Sequence, residues 1–356
     1  MKTNLFKTAF IACVSLALFA GVFSSCKTTE PEKADTTKLT ALIDSCQTLA
    51  DAATTTDYKQ ADIDAFKTTL ATAKTAIANT SITQTAVDNL VVQLRAAKAT
   101  FLAAAYGAIP STALIMGMTF DETVTGGQFT TEGKPWTAVL KTGPSQIFTT
   151  TNLPSFVTGK IGKAIYFSKG SHLEISDYAA NDLLGKELSI SVWVKLDSTK
   201  GGNYVISYNY WKTWKLQIQE QNKPYFTVAT VSTAGIVDAD NQRDNSVLNN
   251  TWTHVAISMS LTTGKLSFYI NGENTMEWTK ETQEGLTGTV KPYTNILPLI
   301  IGGCTTYAEA VAAFDWTGWN TPATWDGFVG SMDELKVYNV ALTDGQVAKL
   351  YKDENK

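Results

Sequence analysis

Histidine and cysteine are scarce in this chain, and its charges nearly balance. Two histidines and four cysteines stand among 356 residues. The cysteines, Cys13, Cys26, Cys46 and Cys304, are too widely spaced for a zinc site or a redox pair, and they imply no disulfide framework. With 29 basic against 33 acidic residues and a formal net charge of -4, there is no electrostatic footprint for nucleic acid, which is excluded as a partner. The histidines, His172 and His254, lie on separate segments and do not read as a catalytic pair. A Gly-x-Ser-x-Gly elbow, a His-Glu-x-x-His helix and a phosphate loop are all missing. Tryptophan is missing from the first 135 residues: all nine occur from Trp136 onward, which divides the chain in two.

What is present begins at the N-terminus. Lys2 and Lys7 precede an apolar run from Ala9 to Phe23, and Ser24 and Ser25 stand immediately before Cys26. The run is shorter than the roughly 20 apolar residues of a spanning helix and reads as an export signal. Small residues followed by cysteine resemble the lipobox of bacterial lipoproteins. The resemblance implies a signal peptide over 1–25, acylation of Cys26, and an exported protein anchored at the outer membrane or cell surface. Each buried methylene of such an anchor adds about 0.8 kcal/mol. An ordinary secretory signal cleaved nearby is the alternative.

Residues 26–37 are polar and rich in Thr and Glu, a tether that cannot bury enough surface to fold. From Lys38 helical periodicity sets in. Leu39, Leu42, Ile43, Cys46 and Leu49 share one face, as do Ile63, Phe66, Leu70, Ala73 and Ile77, and then Val87, Leu90, Val91, Leu94 and Phe101. Short breaks at Thr54 to Asp57 and Asn79 to Thr83 predict a three-helix bundle over 38–107. Tyr58, Ile63-Asp64-Ala65-Phe66, Leu70-Ala71-Thr72-Ala73-Lys74 and Thr83-Gln84-Thr85-Ala86-Val87-Asp88 resemble the FIVAR domain, which implies a spacer or stalk, with a sugar-contacting module as the alternative.

Past Pro110 short β-rich runs separated by Gly, Asn and Asp predict an antiparallel sandwich, making the chain mainly β with an N-terminal α domain. Phe120-Asp121-Glu122, the segment Gly159 to Phe167, Ser189 to Lys195 around Trp193, Trp252 to Ala256, Gly264 to Gly272 with its Asn-Gly turn, Ile300-Ile301-Gly302-Gly303 and Gly330 to Tyr338 occur in order. Together they resemble the laminin G-like, concanavalin A-like jelly roll over 110–356, with Phe120-Asp121-Glu122 as its opening strand and Leu342 to Leu350 as a short terminal helix. Trp193, Trp252 and His254 read as core and strand-pairing residues.

The same fold carries glycoside hydrolases that place two carboxylates about 5 Å apart through a Glu-x-Asp-x-x-Glu strand. No such run exists here, so catalysis is not expected, and a degenerate hydrolase is the weakest reading. The resemblance also implies a structural calcium held by Asp333, with Asp121 and the carbonyls around Gly170 as companions, since calcium takes hard oxygen ligands. In the alternative, Asp333 satisfies backbone amides at a strand end.

Two aromatic stretches carry the mixture that binds neutral sugars, rings to stack on the apolar face and polar groups to reach hydroxyls. One contains Tyr208, Tyr210, Trp211 and Trp214. The other runs from Tyr307 to Phe328 and contains Trp316, Trp319, Trp325 and Asp326, longer than a hairpin needs. The expected function is non-catalytic binding of a glycan or polysaccharide at the cell surface. The alternative is an adhesin or accessory subunit that binds surface proteins.

Overall fold

The structure is a computed structural model and describes residues 33–295, 297–314 and 322–356. The signal peptide, Cys26, Trp316 and Trp319 lie outside the described residues.

Helices α1 (Thr37–Ala52), α2 (Gln60–Ile77) and α3 (Gln84–Ala103) form a bundle. Each buries one stripe at helical spacing: Leu39, Ile43, Cys46 and Ala50, then Ile63, Phe66, Leu70 and Ala73, then Val87, Leu94 and Phe101. Tyr58, Phe101 and Phe66 stack in sequence at 4.1 and 4.5 Å between ring centroids. Thr83 caps α3, its side chain accepting from the amide of Ala86, as the break at Asn79 to Thr83 predicts. The first helix starts at Thr37, inside the span expected to be tether.

The rest is β-rich. In chain order the strands are β1 (Leu114–Met118), β2 (Gln128–Thr130), β3 (Glu132–Gly133), β4 (Thr137–Lys141), β5 (Ser155–Thr158), β6 (Lys163–Phe167), β7 (His172–Ile175), β8 (Glu187–Leu196), β9 (Asn203–Tyr208), β10 (Trp214–Gln219), β11 (Lys223–Ala229), β12 (Ile236–Asp240), β13 (Thr253–Ser260), β14 (Lys265–Ile270), β15 (Glu273–Thr279), β16 (Leu299–Ile301) and β17 (Gly330–Tyr338). Among the described residues the α-helices of this part are α4 (Ala180–Leu183), α5 (Tyr307–Phe314), α6 (Pro322–Trp325) and, after the last strand, α7 (Asp344–Glu354).

One sheet runs β15-β14-β13-β8-β17-β1-β3, with β6 also paired to β17 and β5 to β6. The other runs β12-β11-β10-β9-β16-β7-β4-β2. All named strand pairs are antiparallel. Between the sheets lies one core, built by period-two alternation. Leu188, Ile190, Val192, Val194 and Leu196 of β8 point into it from one side, and Trp214, Leu216 and Ile218 of β10 from the other. Each such side chain contributes about 1.5–3 kcal/mol by leaving water. This is the predicted antiparallel jelly roll. The Asn271-Gly272 turn joins β14 to β15 with φ of 50° and 75°, the left-handed pair that suits a tight hairpin. The opening strand is β1, not Phe120-Asp121-Glu122: Phe120 follows it in a left-handed conformation (φ 59°), and its buried ring turns the chain out of the sheet.

The outer face of the first sheet is covered by α7, which Thr343 and Gln346 start with a capping box. There Trp193 and His254 are buried as expected; burial and the nearby Lys336 charge push the His254 imidazole down to about 3, and its Nε2 meets Ser191 Oγ at 2.8 Å. Trp252 is half-buried just ahead of β13. The bundle is seated on the same helix. Gln346 donates to the carbonyl of Ala108 at 3.0 Å, Lys352 reaches the carbonyl of Thr55, and its ammonium lies 5.3 Å from the centre of the Tyr106 ring. A Cβ on Gly345 would come within 2.1 Å of the Ala105 carbonyl oxygen, so only glycine permits this approach.

Candidate functional site

The outer face of the second sheet is shaped by β4 and β7. Leu173 and Ile175 point into the core, so His172 and Glu174 point out; beside them Ala138 and Leu140 point in and Lys141 points out. Strand β16 ends in Gly302-Gly303, and the chain then rises through Cys304 and Thr305 into α5. Helix α6 brings Trp325 back over the same ground. The result is a cavity of about 220 Å³ walled by Lys141, His172, Glu174, Thr305, Tyr307 and Trp325, with Gln146 and Gly327 at its margin.

Its two sides differ in chemistry. Tyr307 and Trp325 form a ring pair with centroids 5.3 Å apart, backed by a small apolar cluster of Phe148, Tyr204, Tyr210 and Ala310. Opposite them His172 Nε2 lies 3.3 Å from Glu174 Oε1, and Lys141 Nζ lies 3.5 Å from Glu174 Oε2. His172 Nδ1 meets the Gly170 carbonyl at 2.8 Å, which fixes the ring's orientation. The hydrogen bond from His172 holds the Glu174 carboxyl below the usual carboxylate range against the effect of burial, and Lys141 adds to it. A carboxylate kept ionised accepts hydrogen bonds and is a poor proton donor.

Several residues expected to display rings do not. Tyr208 and Trp214 point into the core, in edge-on contact at 5.8 Å, and the Trp214 indole nitrogen donates to the Leu183 carbonyl at 3.0 Å. They close β9 and open β10 on the inward register, so the sandwich consumes them. Tyr210 is buried too, its hydroxyl 3.0 Å from that of Tyr204. Only Trp211 of that stretch reaches solvent, 37% exposed. Asn209 and Tyr210 both take φ of 54° there, a strained pair for non-glycine residues. Beneath them Lys215 is buried among the rings of Tyr204, Tyr210, Trp211 and Tyr225, 5.0–5.9 Å from their centres, and burial pushes its ammonium down to about 8. Asp326 flanks the cavity but pairs with Lys200 at 3.7 Å.

Two of the expected calcium ligands lie on the same turn and the third stands apart. Asp333 and Asp121 flank one turn, Gly159 to Lys163. Asp333 Oδ2 accepts from the amide of Ile161 at 2.9 Å and Oδ1 from Glu334 at 2.8 Å, while Asp121 Oδ1 accepts from Lys163 at 2.8 Å. A Cβ on Gly159 would lie 2.5 Å from Asp333 Oδ2, which explains the glycine. Gly170 lies beyond the other end of β6, against Trp325 at the cavity, so the three do not converge. Among the described residues no group of three acidic, histidine or cysteine side chains is placed to hold a metal. Asp333 ties down backbone amides, and burial pushes its carboxyl up to about 7.

Lys141, His172 and Glu174 escaped the sequence reading, although His172-x-Glu174-x-Ser176 alternating with Leu173 and Ile175 is the signal of a strand with one polar face.

Three solved structures align with part of this chain. Domain 4 of an extracellular arabinanase from Geobacillus stearothermophilus, solved with arabinotriose, aligns with a TM-score of 0.45 and 17% identity over 67% of this chain and 98% of its own. The receptor binding domain of botulinum neurotoxin mosaic serotype C/D aligns with a TM-score of 0.45 and 14% identity over 68% and 51%. The binding domain of botulinum neurotoxin DC, in complex with SialylT, aligns at 0.44 and 14% over 68% and 52%. The chain thus spans about half the length of the neurotoxin domains. No curated protein matches the chain. The family described as the concanavalin A-like lectin/glucanases superfamily matches residues 167–348, just over half the chain and most of both sheets. By that match, this chain belongs to the concanavalin A-like lectin/glucanases superfamily.

Proposed function

We propose that the chain is a non-catalytic glycan-binding protein whose ligand sits in the cavity between Trp325 and His172. The observation that carries this reading is the gathering of two aromatic rings, the Lys141–Glu174 ion pair and the His172 imidazole around one cavity. A pyranose has the matching duality, an apolar face of C–H groups and a rim of hydroxyls. The contacts of Glu174 at 3.3 and 3.5 Å are long, so its oxygens keep capacity for hydroxyl donors. Trp325 is itself 7% exposed, so Tyr307 offers the more accessible ring face; a stacked ring that removes roughly 80 Å² of apolar surface yields about 2 kcal/mol. Millimolar affinity requires about 4 kcal/mol net, so the Tyr307 ring, the edge of Trp325 and the polar groups must act together. The ionised state of Glu174 favours binding over acid catalysis.

The same proposal includes export and a lipid anchor at Cys26, with the bundle as spacer; the support for these is the sequence alone.

The test is a glycan array and affinity electrophoresis in polysaccharide gels with the full mature chain, alongside Tyr307→Ala and Glu174→Ala. Retention by a neutral polysaccharide is expected, weakened tenfold or more in each variant at unchanged melting temperature. Silence across a broad array, or retention untouched by both substitutions, defeats the reading; capture of an envelope protein at this cavity instead would favour the adhesin.

A further inference from the structure

The cavity does not end at Lys141 and Glu174. A second hollow of about 180 Å³ adjoins it, walled by Thr137, Val139, Lys141, Glu174, Ser176 and Asp177. The two share Lys141 and Glu174. The β4–β7 register makes them continuous: Val139 lies across from Glu174 and Lys141 across from His172, so the outward residues of both strands form one strip. From His172 to Ser176 that strip measures about 13 Å at the rise of a strand.

We infer that the strip is a groove for a neutral oligosaccharide of at least two units, one against the Tyr307 and Trp325 rings and the next over Ser176 and Asp177. This rests on the glycan-binding reading and adds chain length and charge to it. The second hollow contains no ring, so a sugar there is held through hydroxyls alone. Asp177 is prepared for that task, since both its oxygens accept from the amide of Thr137 at 3.0 Å, which fixes the carboxylate in place. Charge decides the class of sugar. The second hollow carries the carboxylates of Glu174 and Asp177 against one ammonium, Lys141, and Lys141 is already paired with Glu174. A uronic acid placed there meets net repulsion, while a neutral sugar meets acceptors for its hydroxyls.

The experiment is calorimetric titration of the full mature chain with neutral gluco-, xylo- and arabino-oligosaccharides of one to five units, and with oligogalacturonates. The expected result is at least a tenfold rise in affinity from one unit to three in the series that binds, a plateau beyond, and no binding of oligogalacturonates. Ser176→Phe fills the second hollow and is expected to flatten that rise. A series in which one unit binds as tightly as three, or preferential binding of oligogalacturonates, overturns the groove while leaving the glycan-binding reading intact. Absence of binding by every series and by the parent polysaccharides defeats that underlying reading instead. The wild-type ladder decides the matter by itself should Ser176→Phe not fold.

Discussion

The indole nitrogen of Trp193 donates to the carboxylate of Glu354 at 2.9 Å, joining the middle of β8 to the last turn of α7. The other oxygen of Glu354 takes Lys336 Nζ at 2.6 Å, and Lys336 also holds Glu334 at 2.6 Å. Trp193, Glu334 and Glu354 are buried and Lys336 is largely so, and there an ion pair stripped of one partner is costly.

Glu354→Ala leaves the Trp193 N–H without an acceptor and Lys336 with one carboxylate in place of two. The expected loss is about 3 kcal/mol in urea unfolding. Glu354→Gln keeps an acceptor for Trp193 and is expected to lose less. Equal midpoints for both variants and the wild type would show that the cluster contributes nothing.

Asp333 gives a pH signature. Its carboxyl sits near 7 in the fold against 3.8 as a free side chain, raised chiefly by burial. The folded state therefore binds more protons than the unfolded state between those values. Its contribution is complete below pH 3.8 and is lost as the pH rises through about 7. Urea midpoints measured from pH 5 to 8 are expected to contain a falling component that disappears in Asp333→Asn. A calcium ion bound there would keep the carboxyl ionised and remove that component, so the same series in calcium-containing buffer reads out a metal directly.

Trp214 and Trp211 are three residues apart and should respond differently. Trp214→Ala empties a fully buried site and is expected to cost about 3–5 kcal/mol. Trp211 is one wall of the cage around Lys215 and is over a third exposed, so Trp211→Ala is expected to cost about 1 kcal/mol. Denaturant melts of both variants separate a core ring from a displayed one; similar losses would reverse that assignment.

This pair also shows where sequence reading stops. Alternation and turn chemistry made the sandwich legible: Leu188 to Leu196 alternate around Trp193, and Asn271-Gly272 can hardly be anything but a hairpin turn. The fate of each aromatic ring was not legible. Tyr208 and Trp214 flank polar residues in a stretch that looks like a loop, yet one register step at each strand end sends them inward. The cavity was harder still. Lys141, His172, Thr305 and Trp325 come from four separate segments, and only the strand order β16-β7-β4 makes them neighbours. Tyr307 and Trp325, which line the cavity, stand out in sequence because their loop is long and aromatic; the polar lining comes from regular strands, where nothing local distinguishes it from a solvated face.

The bundle is clasped to α7 on the outside of one sheet, and the groove runs along the outside of the other. Under the proposed binding mode, a polymer pulled along β4 and β7 would load the sandwich from the face opposite the one that carries α7 and the bundle. Gly345 lets the last helix and the chain leaving the bundle meet backbone to backbone, with no side chain between them.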